Sequence, residues 1–324
     1  MVSILVSLGA DAPRLLFNHS ILPSNQNPLG ALPARFRRQR VLIVGCGDVG
    51  LRAAKLLSPR LRVLALTSDP ERAPELRAAG IKPLLGNLDL PSTLTRLAGL
   101  APRVIHLAPP PPEGQADRRT QALARALRRR ELPAALVYGS TSGVYGHCSG
   151  EWVNETRSVN PQTPRACRRV DAEAEIRFLG RAGVRTSILR IPGIYAPDRE
   201  GGTPRERLHR GTPVLVAEED VFTNHIHADD LARACVLALW RGRPLRAINV
   251  SDDTDLRIGD YMDFAADLYG LPHPPRITLA QAAQTLSAMQ LSFMRESRRL
   301  DNRRMKRELR LRLAYPTVKQ GLIQ

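Results

Sequence analysis

The tightest constraint on this chain is the stretch Val44-Gly45-Cys46-Gly47-Asp48-Val49-Gly50, which follows the apolar run Val41–Val44 and opens a helical pattern through Leu51, Ala54 and Leu57. A strand feeding a helix through a turn this rich in glycine has few uses. Gly45 permits the tight turn, Gly47 lets the backbone approach a pyrophosphate, and Gly50 lets helix and strand pack closely. The amides of the opening turn, from Cys46 through Asp48 and Val49, lack partners inside the helix and meet an anion at the positive end of its dipole. The spacing points to a bound dinucleotide; the alternative is a glycine turn without a ligand.

The residue ending the second strand, about 20 residues further on, sets the preference between NAD and NADP, since a carboxylate suits the free ribose hydroxyl and a cation suits its phosphate. Thr67 and Ser68 fill that position, Asp69 comes slightly late, and Arg72 and Arg52 are near enough to meet a phosphate. Both cofactors stay open, with a lean to NADP.

Past the turn, aliphatic runs at Leu61–Leu66, Lys82–Leu85, Arg103–Leu107, Ala135–Ser140 and Val184–Arg190 alternate with helical stretches. One such stretch carries Ala122, Leu123, Ala126 and Leu127 on a single face. Alternation of this kind implies parallel strands, right-handed crossovers and helices on both faces, an α/β doubly wound sheet. After Arg190 the pattern loosens into proline and glycine clusters. It then gives a helix Asp229–Arg241, a strand Ala247–Val250, a helix near Ile258–Tyr269 and an arginine-rich, partly helical tail, Ser292–Leu313. The four prolines Pro109–Pro112 follow a strand end and are expected as a stiff loop over the pocket.

No apolar run approaches the roughly 18 to 20 residues that cross a bilayer, so no membrane span is expected. The formal charge is +17, and of 48 basic residues all but Lys55, Lys82, Lys306 and Lys319 are arginine. They are scattered, and with aromatics at 4% they lack the stacking residues of a nucleic-acid surface. A nucleic-acid partner is therefore not expected despite the charge. Cys46, Cys148, Cys167 and Cys235 form no CxxC pair and suit a reducing, cytoplasmic setting, with no metal site. His225 and His227 lack a third ligand.

Residues 1–39 read as a poorly ordered extension, because the apolar Met1–Leu8 has no preceding positive charge, as a signal peptide would, and a proline-studded tract follows. Residues 40–190 then form the dinucleotide-binding domain. Residues 191–324 form a smaller mixed α/β lobe, with segments that return to the sheet.

With these residues in hand, the chain from Arg40 to Gln324 resembles the extended and atypical short-chain dehydrogenase/reductases, the superfamily of NAD-dependent epimerase/dehydratases. The resemblance runs through the glycine motif, Gly86-Asn87-Leu88, Val104–Ala108, Ser140–Gly146, Leu189–Tyr195, His225–Ala232 and Asn249–Asp252, in that order. It implies a Rossmann fold in which Asn87, replacing the usual Asp, and Leu88 contact the adenine. It also implies that Ala108 lies beside the cofactor, and Pro192 and Ile194 beside the nicotinamide. A Ser or Thr such as Thr141 polarises the substrate oxygen in that family. A Tyr, its pKa lowered by a Lys four residues later, exchanges the proton.

Here Pro164 and Glu173 fix the register of that pair, and Arg165 stands at the Tyr position and Arg169 at the Lys position. A guanidinium has no acceptor and keeps its proton, so Arg165 cannot replace the phenol, while Arg169 can still hold ribose hydroxyls. The literal Tyr315–Lys319 spacing contains Pro316 and is taken as chance. Tyr145 is the surviving phenol: with Thr141 it either keeps some acid function or packs the pocket wall. Two functions follow. One is an NAD(P)-binding oxidoreductase of epimerase/dehydratase type, acting on a small polar molecule such as a nucleotide sugar from an atypical site. The other is a catalytically silent NAD(P)-binding sensor. The helices through which relatives often pair carry Arg118, Arg119, Arg125, Arg128, Arg168, Arg177 and Arg181, and both monomer and homodimer stay open.

Overall fold

The computed structural model describes residues 39–323, so the expected N-terminal extension lies, but for Gln39, outside the described residues. The aliphatic runs become strands β1 (Arg40–Val44), β2 (Arg62–Thr67), β3 (Lys82–Leu85), β4 (Arg103–His106), β5 (Ala135–Thr141), β6 (Arg185–Ile191) and β7 (Arg246–Asn249). They pair in parallel as one seven-stranded sheet in the order β7-β6-β5-β4-β1-β2-β3. The α-helices of five residues or more are α1 (Asp48–Leu57), α2 (Ala73–Ala78), α3 (Arg118–Leu127), α4 (Pro164–Arg181), α5 (Arg205–His209), α6 (Ala228–Arg241), α7 (Ile258–Tyr269), α8 (Leu279–Thr285) and α9 (Ala288–Met294).

Both faces of the sheet are covered, as buried parallel strands require. Alternate residues of β1 serve opposite layers. Val41 and Ile43 join Ala53, Ala54 and Leu57 of α1 and Leu231, Cys235 and Ala238 of α6. Leu42 and Val44 join Leu123 and Leu127 of α3 and Ile176 and Leu179 of α4. Small side chains at Ala53, Ala54, Ala234 and Ala238 let α1 and α6 share one face of the sheet.

From β1 the sheet grows one way through β2 and β3 and the other way through β4 to β7. The connections leaving the carboxyl ends of β1 and β4 therefore diverge, opening the crevice in which folds of this kind bind ligands. The second part of the chain closes that crevice. Parallel strand pairs join Gly193–Tyr195 to His225–His227 and Val214–Leu215 to Arg276–Ile277. Helix α7 packs Met262, Ala265 and Ala266 against Tyr195, Leu208, Val214 and Val318. The division expected after residue 190 falls inside β6, and β7 and α6 return from beyond it to the sheet.

In the tail, a π-helical turn at Met305–Leu309 buries Met305 and Leu309 in the sheet's core. Among the described residues no helix is long and apolar enough to cross a membrane.

Candidate active site

A cleft of about 1160 Å³ opens at the carboxyl ends of the strands and reaches from the glycine turn to the second part of the chain. Gly45, Gly47, Asp48, Val49 and Gly50 form its first wall. Gly45 sits at φ +85°, and a Cβ there would lie 2.3 Å from the Ala108 nitrogen, so only glycine fits. Gly47 has φ −81° and ψ −157°, open to any residue, yet a Cβ on it meets nothing within 4 Å. The turn thus leaves open space in front of the first amides of α1, which no side chain caps. A diphosphate fits that donor set and that space. Cys46 contributes only backbone, because its thiol is buried and burial pushes its pKa up to about 11.

An acid within an anion-binding turn calls for neutralisation, and Asp48 has it. Its carboxylate accepts from Arg52 Nε at 3.0 Å and Arg199 Nη1 at 2.6 Å. Arg52 is held in addition by Asp198 at 2.7 Å and Asp229 at 2.6 Å, and these hydrogen bonds outweigh burial and hold its pKa above the usual arginine value. Arg52 is thereby committed to carboxylates and is not free to meet a ribose phosphate, contrary to the expectation from sequence.

Thr67, Ser68, Arg72, Asn87, Leu88 and Ala108 do not line this cavity; they cluster at and just beyond the carboxyl ends of β2, β3 and β4, beside the turn. Arg72 Nη2 donates to the Cys46 carbonyl at 2.9 Å, tying this cation to the glycine turn. Asp69 spends its carboxylate on the Glu71 amide at 2.9 Å, so Arg72 is the charged group of that corner that touches the turn. The Asn87 side chain accepts from the Asp89 amide at 2.9 Å.

The second wall comes from the end of β5 and the first turns of α4. Thr141 and Ser142 line the cleft. Thr141 Oγ1 accepts the Gly143 amide at 3.2 Å, which leaves its own proton to donate. Helix α4 starts where Thr163 caps the Ala166 amide and Pro164 presets the first turn. From it Arg165, Arg168 and Arg169 reach the cleft. Arg165 lies 5.1 Å from the Phe293 ring centroid. Arg169 Nη1 donates to the Tyr138 hydroxyl at 3.0 Å and to the Gly139 carbonyl at 2.8 Å. Arg168 is buried and donates to the Gly114 carbonyl at 2.6 Å.

Tyr145 does not reach the cleft. The 3₁₀ turn Ser142–Tyr145 carries it inward, where it is 1% exposed and its hydroxyl donates to Asn249 Oδ1 at 2.7 Å. Burial raises its pKa, so the phenol is a packed structural group, and the acid function considered for it falls away. Below the wall, Glu173 is buried and accepts from Ser140 Oγ at 2.7 Å, Arg190 at 2.9 Å and Arg177 at 3.0 Å. Burial alone would raise its pKa, but Arg190 and the other donors hold it below the usual carboxylate range. The prolines Pro109–Pro112 do not line the cleft; the carbonyls of Pro109 and Pro110 accept from Arg119 instead.

The third wall holds Pro192 and Ile194 together with Arg199, Arg207, His225 and Tyr261. His225 packs on Tyr261 with ring centroids 4.4 Å apart, and burial with the nearby Arg207 charge pushes its pKa down to about 3, leaving a neutral imidazole. His227 stacks on Tyr315 at 3.7 Å. Arg168, Arg199, Arg207 and Glu296 are lining residues that sequence reasoning passed over. Only the spacing of Arg168 from Arg165, three residues on a helix, could have flagged one of them.

The profile of the NAD dependent epimerase/dehydratase family matches residues 41–251. Among solved structures, a functionally unknown conserved protein from Silicibacter pomeroyi is similar at 28% identity and TM-score 0.73, covering 88% of this chain and 96% of that one. A UDP-glucuronic acid 4-epimerase from Bacillus cereus, solved in complex with NAD, is similar at 17% identity and TM-score 0.69, covering 88% and 96%. A nucleoside-diphosphate-sugar epimerase from Pseudomonas aeruginosa is similar at 18% identity and TM-score 0.72, covering 88% and 95%. No curated protein sequence matches significantly.

Proposed function

This chain belongs to the NAD dependent epimerase/dehydratase family, and from that premise we propose that it binds a nicotinamide dinucleotide along the glycine turn and works on a nucleotide sugar in the rest of the cleft. One observation carries the reading. The glycine turn at Gly47, Thr141 and Ser142, and the segment Pro192–Ile194 all line a single cavity. When bound, the nicotinamide supplies a hydride acceptor or donor.

This chain's residues divide the remaining work. The amides of Cys46–Gly50 grip the diphosphate, and Arg52 and Arg199 cancel the Asp48 charge beside it. Thr67, Ser68 and Arg72 meet the adenosine ribose, where Arg72 would also accept a 2′-phosphate; Asn87 and Leu88 flank the adenine. Arg169 holds ribose hydroxyls, and Thr141 donates to the substrate oxygen. Arg165 stabilises negative charge on that oxygen but takes no proton from it. A substrate hydroxyl must therefore lose its proton to water or to a cleft residue other than Arg165; His225, its pKa pushed down to about 3 by burial and the Arg207 charge, is too weak a base for that step.

The test is to incubate NAD-saturated protein with a panel of UDP- and dTDP-sugars. Ion-pair chromatography follows the sugar, and absorbance at 340 nm follows the cofactor. Conversion of one sugar supports the reading. Tight NAD binding with no conversion across the panel would count against an enzyme.

A further inference from the structure

Arg165, Arg168 and Arg169 stand at i, i+3 and i+4 of α4, so they share one face, and all three line the cleft. Among the described residues none of the three has a carboxylate partner. The cleft's other arginines differ, apart from Arg207: Arg199 pairs with Asp48, Arg210 with Glu206 and Arg298 with Glu296. The nearby acids are engaged elsewhere. Glu296 holds Arg298 at 2.8 Å, Asp171 accepts the Asp117 amide at 2.7 Å, and Glu173 is taken by Arg190 and Arg177. Arg168 is only 7% exposed, yet its Nε has no hydrogen-bond partner.

Adjacent like charges in a partly buried wall repel each other, and a buried N–H without an acceptor is costly. An arriving oxyanion removes both costs. The planar guanidinium fork suits a carboxylate or a phosphate through paired hydrogen bonds, and Arg165 is steadied on the Phe293 ring. We propose that Arg165 and Arg168 form a seat for a carboxylate or phosphate on the reacting portion of the substrate, with Arg169, held by Tyr138 and Gly139, adding positive charge from the ribose side. Where the family keeps a proton relay, this chain keeps an anion site. The inference rests on the dinucleotide reading, because it assigns the glycine turn and Arg169 to the cofactor and leaves Arg165 and Arg168 to the substrate.

The experiment uses the full chain saturated with NADH, titrated calorimetrically at low salt with inorganic phosphate and with malonate. The same titrations follow for Arg165→Gln and Arg168→Gln. Saturable binding of at least one anion, weakened tenfold or more in each variant, is the expected result. Arg165 faces solvent, so its variant keeps the test decisive should the buried Arg168 substitution fail to fold. UDP-glucuronate binding at least tenfold more tightly than UDP-glucose assigns a carboxylate. Equal binding of the two sugars, with phosphate preferred over malonate, assigns a phosphate ester. No saturable anion binding, or binding unchanged in the variants, overturns the proposal. Failure to bind NADH is read first and strikes the dinucleotide reading; the anion titrations on the unloaded protein then judge the seat separately.

Discussion

Two glycines of one turn should fail in opposite ways when each is given a methyl group. At Gly47 the backbone is extended, with φ −81° and ψ −157°, and the added Cβ meets nothing within 4 Å. The fold should lose no more than about 1 kcal/mol, the scale of replacing a tolerated cap residue by alanine. The melting temperature should therefore move by about 3 °C at most. The methyl nevertheless occupies the space the diphosphate needs. Loss of one or two charge-assisted hydrogen bonds, at roughly 1.5 to 3 kcal/mol each, weakens NADH binding about 100-fold.

At Gly45 the numbers reverse. Its φ of +85° costs an L-residue roughly 1 to 2 kcal/mol. The added Cβ would also overlap the backbone, 2.3 Å from the Ala108 nitrogen and 2.5 Å from its Cα. Gly45→Ala should be aggregated or strongly destabilised whether or not ligand is present. Thermal melts by circular dichroism and calorimetric NADH titrations read the two variants. Gly47→Ala that binds NADH within threefold of the parent would refute the diphosphate site.

Three further outcomes are expected. Glu173→Gln leaves Arg190 buried without its carboxylate and should cost about 3 kcal/mol. Because the Glu173 pKa is lowered on folding, its contribution is present above the ordinary carboxylate range and is lost as pH falls through the depressed value, so urea midpoints of the variant should lack the parent's added acid sensitivity. Asp252 is buried with its pKa raised to about 7, so it favours the fold when protonated and opposes it as pH rises from about 4 to 7; Asp252→Asn should raise the melting temperature at pH 8, with a gain of up to about 4 kcal/mol, and change little at pH 4. Arg199→Ala removes one of two cations from Asp48 and should weaken NADH binding roughly fivefold at low salt, the scale of about 1 kcal/mol for a charge near the surface. Adding Asp48→Asn should restore the affinity, and no restoration would refute the charge argument.

Much of this fold was legible because local and tertiary preferences agree. Val41–Val44 and Ala135–Ser140 are apolar, buried runs at strand length, and Asp229–Arg241 carries the period of a helix that buries one face; each appears within a residue or two of its expected bounds. The glycine turn was legible because its chemistry is local. The α4 wall was legible only through the register that Pro164 and Glu173 fix. What stayed hidden depends on direction and on distant partners. Tyr145 follows Thr141 closely in sequence, but a 3₁₀ turn aims it at Asn249, 104 residues on. Arg52 is close to the turn, yet its guanidinium is claimed by Asp198 and Asp229, 146 and 177 residues away. Arg207 and His225 face the cleft because short strand pairs fold the second part of the chain back over it. No single residue among so many arginines announces that placement.

The central claim is that the turn around Gly47 grips the diphosphate of a nicotinamide dinucleotide. Calorimetric titration of the full chain with NAD, NADH, NADP and NADPH tests it most directly. At least one should bind at one site per chain with saturable heat, and NADP or NADPH should lose affinity selectively in Arg72→Ala if Arg72 meets a 2′-phosphate. A chain that stays folded and yields no binding heat with any of the four would contradict the account.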